Sequence, residues 1–241
     1  MTRRILDLFC CAGGAGTGYE RAGFDVYAID LDPQPNNPHP FHQGDALEAL
    51  RTVIASRRIE FTHKDGRVES LSLDEFDAIH ASPPCQGYTT MSAKYPVAQA
   101  LWPQLITPTR KLLEATGKPY VIENVAGARK HMRSPMKLSG GMFGLGVERP
   151  RLFESNIPLQ SLPFRRADPV VGVYGRSHDG RRLWTRADGT ELRAARTLAE
   201  GRLAMGIGWM EWHELTEAIP PAFTEHIGIQ LLEHISKEAA A

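Results

Sequence analysis

Three cysteines in 241 residues are too few, and odd in number, for a disulfide framework. Two are adjacent, Cys10 and Cys11, the third is Cys85, and this usage points to a reducing cytoplasm. No run of eighteen apolar residues occurs, and MTRRILDLFC passes directly into a strand pattern, so neither a membrane span nor a signal peptide is expected. A charge surplus is missing too: 28 Lys and Arg balance 28 Asp and Glu, which argues against a chain coated all over for nucleic acid. Nine histidines include His39 and His42 in HPFH, but no second half of a metal-ligand spacing follows, and no metal is expected. The glycine-rich turn near residue 12 is not followed by a lysine, which excludes a phosphate-binding loop of the nucleotide triphosphate kind.

What is present reads as an α/β chain. Apolar residues make up 42% of it, enough for a substantial core. RILDLF, DVYAID, the end of HQGD, FDAIHAS and PYVIENV are short buried strands. Between them GYERAG, ALEALRTVIASR and LITPTRKLLEATG have helical periodicity, the last closed by Gly117. IEFTHKDGRVESLSL, with Lys-Asp-Gly between two alternating segments, is expected as an inserted β-hairpin. This rhythm predicts a doubly wound, mostly parallel sheet. Residues 1–154 form the expected main domain, 155–200 a small irregular or β insert, and 201–241 a helical return to the main domain. Residues 149–202 hold eleven arginines, a local basic surplus able to meet phosphate, although a solvated arginine-rich surface explains it equally well.

In such sheets ligands sit beyond the carboxyl ends of the strands. The first strand ends in Phe9, Cys10, Cys11, Ala12, Gly13 and Gly14, where backbone can approach a ligand closely. Asp30, followed by Leu31, ends the second strand where a carboxylate takes ribose hydroxyls, and Asp45, followed by Ala46, is placed to accept from an adenine amine. Acids at both ends and no phosphate cradle favour S-adenosylmethionine, whose sulfonium is cationic. The fourth strand runs into ASPPCQGYTT. Pro83 and Pro84 end it and stiffen the turn, holding Cys85 in a rigid frame before a small polar loop. A nucleophile and a buried structural thiol both fit that frame.

DLFCCAGG, ASPPCQGYT, VIENV and ERPRLF, in this order, resemble the motif series of the cytosine-C5 DNA methyltransferases, most of all their compact, phage-type members. The resemblance implies the S-adenosylmethionine-dependent methyltransferase fold, with Pro84 in the cofactor pocket. It also implies a double-stranded DNA partner, monomeric action without metal or membrane, and a bacterial or phage-infected cell. It makes Cys85 the nucleophile on C6 of a flipped cytosine and Glu123 the group that protonates N3. Arg151, and with it Arg149, would hold the base carbonyl and the neighbouring phosphate. Residues 86–102 would close over the flipped base, with Gln86 and Ser92 reaching the opened helix and Lys94 near phosphate. Arg176, Arg181, Arg182 and Arg186, flanking the His-Asp-Gly turn, would meet the groove. The chain departs from the pattern at Cys11, at Val147 and at Glu217-Ala218, where the family has Gly, Gln and Gly-Asn. RNA cytosine methylation, thymidylate-synthase-like chemistry and a non-catalytic DNA-binding role are the competing readings.

Overall fold

The computed structural model describes residues 2–88, 102–166, 170–176, 178–185, 189 and 191–240. In chain order the main elements are β1 (Arg3–Leu8), α1 (Gly14–Ala22), β2 (Phe24–Asp30), β3 (Phe41–Gln43) and α2 (Ala46–Ile54). Then come β4 (Ile59–Thr62), β5 (Val68–Leu71), β6 (Ala78–Ala81), α3 (Ile106–Thr116), β7 (Tyr120–Val125), β8 (Met136–Leu138) and β9 (Arg151–Ser155). The insert supplies β10 (Val171–Gly172), β11 (Arg182–Thr185) and β12 (Glu191–Ala194), and the chain ends in α4 (Leu198–Met205), α5 (Trp212–Glu217) and α6 (Pro221–Ala239).

The nine-stranded sheet runs β5-β4-β3-β2-β1-β6-β7-β9-β8. Its five central strands are parallel, as the strand–helix rhythm requires. Both margins are antiparallel. The expected hairpin β4–β5 forms, but it docks on β3 through Phe41 opposite Thr62 and extends the sheet. At the other margin β9 lies antiparallel between β7 and β8.

Strand alternation assigns the two faces. Leu6, Leu8, Tyr27, Ile29, Ile79 and Ile122 point to one face, beneath Leu50 and Val53 of α2 and Leu113 of α3. Their neighbours Ile5, Val26, Ala78 and Val121 point to the other, beneath Tyr19 of α1 and Phe223, Ile227 and Leu231 of α6. Each buried Val, Leu, Ile or Phe among them stabilises the fold by about 1.5–3 kcal/mol. Helix α1 approaches α6 so closely that a Cβ on Gly18 would lie 2.2 Å from the Pro221 carbonyl oxygen. A third cluster joins the insert, through Val171, Val173 and Ala195, to Met205, Met210, Trp212 and Ala218 near the carboxyl ends of the strands. Among the described residues no helix is long and apolar enough to cross a membrane, and no group of His, Cys, Asp and Glu could hold a metal.

Candidate active site

The turn after β6 is built to hold one thiol still. Proline at 83 and 84 removes two backbone donors and fixes φ, so the strand cannot continue. Asn124 Nδ2 donates to the Pro83 carbonyl at 2.9 Å and ties the turn to β7. The Tyr88 N–H closes the next turn on the Cys85 carbonyl at 2.9 Å, and the Tyr88 hydroxyl accepts from Ile106 N–H at 3.3 Å. Cys85 therefore faces a cavity of about 550 Å³ from a frame anchored at both ends.

Glu123 of β7 and Arg151, the first residue of β9, reach the same cavity. Arg151 Nε lies 2.9 Å from Glu123 Oε1. The contact is an ion pair whose N–H is not aimed along the bond, so Oε1 has no hydrogen-bond donor among the described residues. Burial pushes the Glu123 carboxyl above the usual carboxylate range, while Arg151, Ser82 and Arg149 oppose it. Burial, then the charge of Glu123, pushes the Cys85 thiol up as well, and Arg151 is the nearby group that favours its thiolate.

The other half of the cavity is lined by Phe9, Cys10, Cys11, Ala12 and Gly14 after β1, by Asp30 and Leu31 after β2, by Asp45 and Ala46 at the start of α2, and by Pro84. Phe9 and Cys11 both adopt positive φ, 57° and 46°, so the loop is bent sharply around this space. Asp30 holds the bend: Oδ2 accepts from Cys11 N–H at 2.8 Å and Oδ1 from Asp32 N–H at 3.1 Å. Asp45 caps α2, its Oδ1 accepting from Glu48 N–H at 2.8 Å. A carboxylate has about four acceptor sites, so each acid retains capacity for a ligand. Among the described residues the charged lining is Asp30, Asp32, Asp45, Glu123 and Glu217 against Arg151. That excess of carboxylates and the absence of a phosphate cradle among these residues fit a cationic adenosine cofactor.

Two expected site residues lie elsewhere. Gly13 is not in the cavity wall; with φ 80° it turns its α-carbon toward Asn37 and Pro38, and its role is the left-handed entry to α1. Arg149 does not line the cavity. It is 1% exposed, and its guanidinium donates to the carbonyls of Ala218 (2.7 Å), Val173 (3.1 Å) and Thr216 (2.6 Å). With those donors committed, it joins the insert to the C-terminal wall. Gln86 lines the cavity, and its buried Oε1 has no donor among the described residues. Arg176, Arg181 and Arg182 are exposed on the insert, Arg181 Nε 3.2 Å from Asp179 and Arg182 Nη1 2.9 Å from Glu191. Ser92, Lys94 and Arg186 lie outside the described residues.

The sequence reading missed part of the wall. Thr216, Glu217, Ala218 and Ile219 line the cavity, as do Ser82, Met210 and Trp102. Glu217 and Ala218 stood out as a departure from the family pattern, which was the available signal. The loop after β1 packs directly on this part of the chain: Trp209 Nε1 donates to the Ala12 carbonyl at 3.0 Å, and a Cβ on Gly14 would lie 2.6 Å from the Ile219 carbonyl oxygen.

The wound sheet with a cavity at its strand ends is a fold shared with solved methyltransferases. A DNA modification methyltransferase encoded within an E. coli prophage superposes with a TM-score of 0.58 at 16% identity, over 98% of this chain and 100% of the other. The Entamoeba histolytica methyltransferase EhMeth gives 0.58 at 13% identity, over 98% and 99%. The S. pombe Dnmt2 methyltransferase gives 0.52 at 15%, over 97% and 99%. Residues 3–138 match the model of the C-5 cytosine-specific DNA methylases, and the chain belongs to that family. The Type II methyltransferase M.XorII of Xanthomonas oryzae pv. oryzae is 32% identical over 130 residues, 53% of this chain and 29% of that enzyme. M.AgeI of Thalassovita gelatinovora is 30% identical over 144 residues, 57% of this chain and 30% of that enzyme. The chain thus spans well under two thirds of these curated relatives.

Proposed function

We propose that this protein methylates C5 of cytosine in double-stranded DNA, using S-adenosylmethionine, by way of a covalent bond between Cys85 and C6 of a flipped base. The observation that carries the reading is the convergence of Cys85, Glu123 and Arg151 on one cavity whose remaining wall is acidic. When bound, the cofactor supplies a methyl group on a sulfonium, held by the Phe9–Ala12 loop, Gly14, Asp30, Leu31, Asp45, Ala46 and Pro84.

The chemistry asked of the chain follows from the base. Cytosine C5 is a poor nucleophile until the ring loses aromaticity. As the Cys85 sulfur bonds to C6, the C5–C6 π pair moves toward C4, the C4–N3 pair moves onto N3, and N3 takes the proton held by Glu123. Burial keeps that proton on Glu123 to higher pH than on an exposed carboxyl. Arg151 sits where it can hold the base carbonyl while also favouring the Cys85 thiolate. C5, now enamine-like, would take the methyl carbon while the broken C–S pair stays on the donor sulfur; N3 returns its proton to Glu123, and loss of the C5 proton to water with departure of the Cys85 thiolate restores the aromatic ring. The base must leave the stack to reach this cavity, which costs a few kcal/mol, and Gln86, which lines the cavity, would meet the gap it leaves.

Residues 155–200 would read the site from the groove. The ion pairs Arg181–Asp179 and Arg182–Glu191 are solvent-exposed and weak, so these arginines exchange readily to phosphate or guanine. An insert of this size suits a short recognition sequence, on the order of two to four base pairs. Bisulfite sequencing of plasmid DNA from cells expressing the protein tests the whole reading. C5 methylation confined to one short context is expected, and unmodified DNA refutes it.

A further inference from the structure

On the sheet face covered by α1 and α6, three polar side chains run in a line through apolar packing toward Glu123. The Tyr19 hydroxyl lies 2.9 Å from His80 Nδ1, and His80 Nε2 lies 2.8 Å from the Ser82 Oγ. Tyr19 and His80 are both fully buried, with their rings 5.2 Å apart. Ser82 stands in the cavity wall. The parallel register that pairs Ala81 with Ile122 carries on to set Ser82 beside Glu123, where its hydroxyl favours the charged carboxylate.

Proton accounting gives the line a direction. Burial holds His80 neutral, down to about 3, so at pH 7 one ring nitrogen carries a proton and the other a lone pair. Burial and the neighbouring Asp7 and Glu123 keep the Tyr19 hydroxyl protonated. When Glu123 is ionised, Ser82 gives it its one proton. The Ser82 oxygen then accepts from His80 Nε2–H, and His80 Nδ1 accepts from the Tyr19 hydroxyl. Both ring nitrogens of His80 then have a partner. Ser82 cannot turn its proton away unless the imidazole changes tautomer and leaves the carboxylate short of a donor. The other charged or titratable groups facing Glu123 are Arg151 and Arg149 and the Cys85 thiol, with Glu217 beyond that thiol.

We propose that His80, gripped by Tyr19, is a positioning residue that fixes the Ser82 hydroxyl as a donor to the Glu123 carboxylate. The charge left on Glu123 when it protonates the base then meets a donor already in place, with no solvent to reorganise. The inference rests on Glu123 being the proton donor of the proposed reaction.

The test compares Ser82→Ala and His80→Leu, which break the line, with Ser82→Thr and His80→Gln, which keep a donor and an acceptor at each end. Losing one hydrogen bond to a charged group shifts an ionisation equilibrium by about tenfold. In Ser82→Ala and His80→Leu the Glu123 carboxyl, followed by carbon-13 NMR of the protein alone, should therefore titrate at higher pH, with its ionisation constant lowered about tenfold. In single-turnover methyl transfer the basic limb of the pH–rate profile should move up in the same variants and the rate at neutral pH should fall. Affinity for S-adenosylmethionine should stay within twofold, and His80→Gln and Ser82→Thr should return toward wild type. Carboxyl titrations that coincide with wild type in both breaking variants would overturn the inference, as would His80→Gln behaving like His80→Leu. If His80→Leu does not fold, Ser82→Ala decides alone, since it removes one oxygen from the cavity wall. A wild-type protein that leaves DNA unmethylated would refute the functional reading, while the carboxyl titration would still decide the hydrogen-bonded line.

Discussion

Arg149 and Arg151 stand two residues apart in one motif, and the structure gives them opposite work. Replacing Arg149 by methionine keeps much of the buried stem and removes the guanidinium. Three carbonyls, those of Ala218, Val173 and Thr216, then lose their donors. Hydrogen bonds from a charged group contribute about 1.5–3 kcal/mol each. Part of that returns, because burying the guanidinium is itself costly and apolar replacements of buried charges recover it. Burial already draws the Arg149 guanidinium down to about 9, though it stays protonated at neutral pH. A net loss of about 3 kcal/mol is expected, and for a chain of this length each kcal/mol lowers Tm by about 2–4 °C, giving a drop of about 6–12 °C. Calorimetry measures it directly. Well below the melting point, Arg149→Met should still trap DNA containing 5-fluorocytosine, whereas Arg151→Met should lose the adduct. An Arg149→Met protein that melts within about 2 °C of wild type, yet fails to form the adduct, would show that Arg149 contacts the substrate and refute the assignment.

Cys85→Ser should lower methyl transfer by several orders of magnitude while DNA binding persists, because a hydroxyl is a far weaker nucleophile than a thiolate. If Cys10→Ser or Cys11→Ser abolished the 5-fluorocytosine adduct while Cys85→Ser retained it, the nucleophile would be misassigned. Asp30→Ala and Asp45→Ala should each weaken S-adenosylmethionine binding by about 1–3 kcal/mol by titration calorimetry; wild-type affinity in both would move the cofactor away from these strand ends. Stability should fall as pH drops from about 6.5 toward 4. His39 and His80 are buried neutral, lowered to about 4 and about 3, so in that window the unfolded chain takes up protons that the folded chain refuses. Asp7, raised to about 8 by burial, acts oppositely: its contribution is full below about 4 and is lost as pH rises toward 8. Asp7→Asn should therefore remove a fall in stability between about pH 4 and 8 in a urea-denaturation profile, and an unchanged slope across that window would refute the raised carboxyl.

Much of this protein was legible in one dimension. Alternating apolar residues and helical periods announced the five parallel strands and the helices between them, because which side of a strand or helix is buried is a local property of the pattern. Gly117 ended its helix as expected, in the left-handed conformation at φ 67°. The prolines before Cys85, and the acids closing β2 and preceding α2, marked the strand ends where a ligand cavity must lie. Partnership is not local, and there the sequence was silent. Nothing in ERPR says that one arginine will be spent on carbonyls of a segment 24 to 69 residues further on, while the other faces Glu123. That was decided by β9 entering the sheet antiparallel beside β7, which sets Arg151 opposite Val125 at the cavity rim. The hairpin was readable, but its docking on β3 was not, since a hairpin's own alternation does not name the edge that receives it. His80 reads in sequence as one more residue of a buried strand. Only the packing of α1 brings the Tyr19 hydroxyl to it across 61 residues, and only the β6–β7 register puts Ser82 beside Glu123. Burial then shifts these groups away from their ordinary ionisation, an effect of the surrounding dielectric that no residue carries by itself.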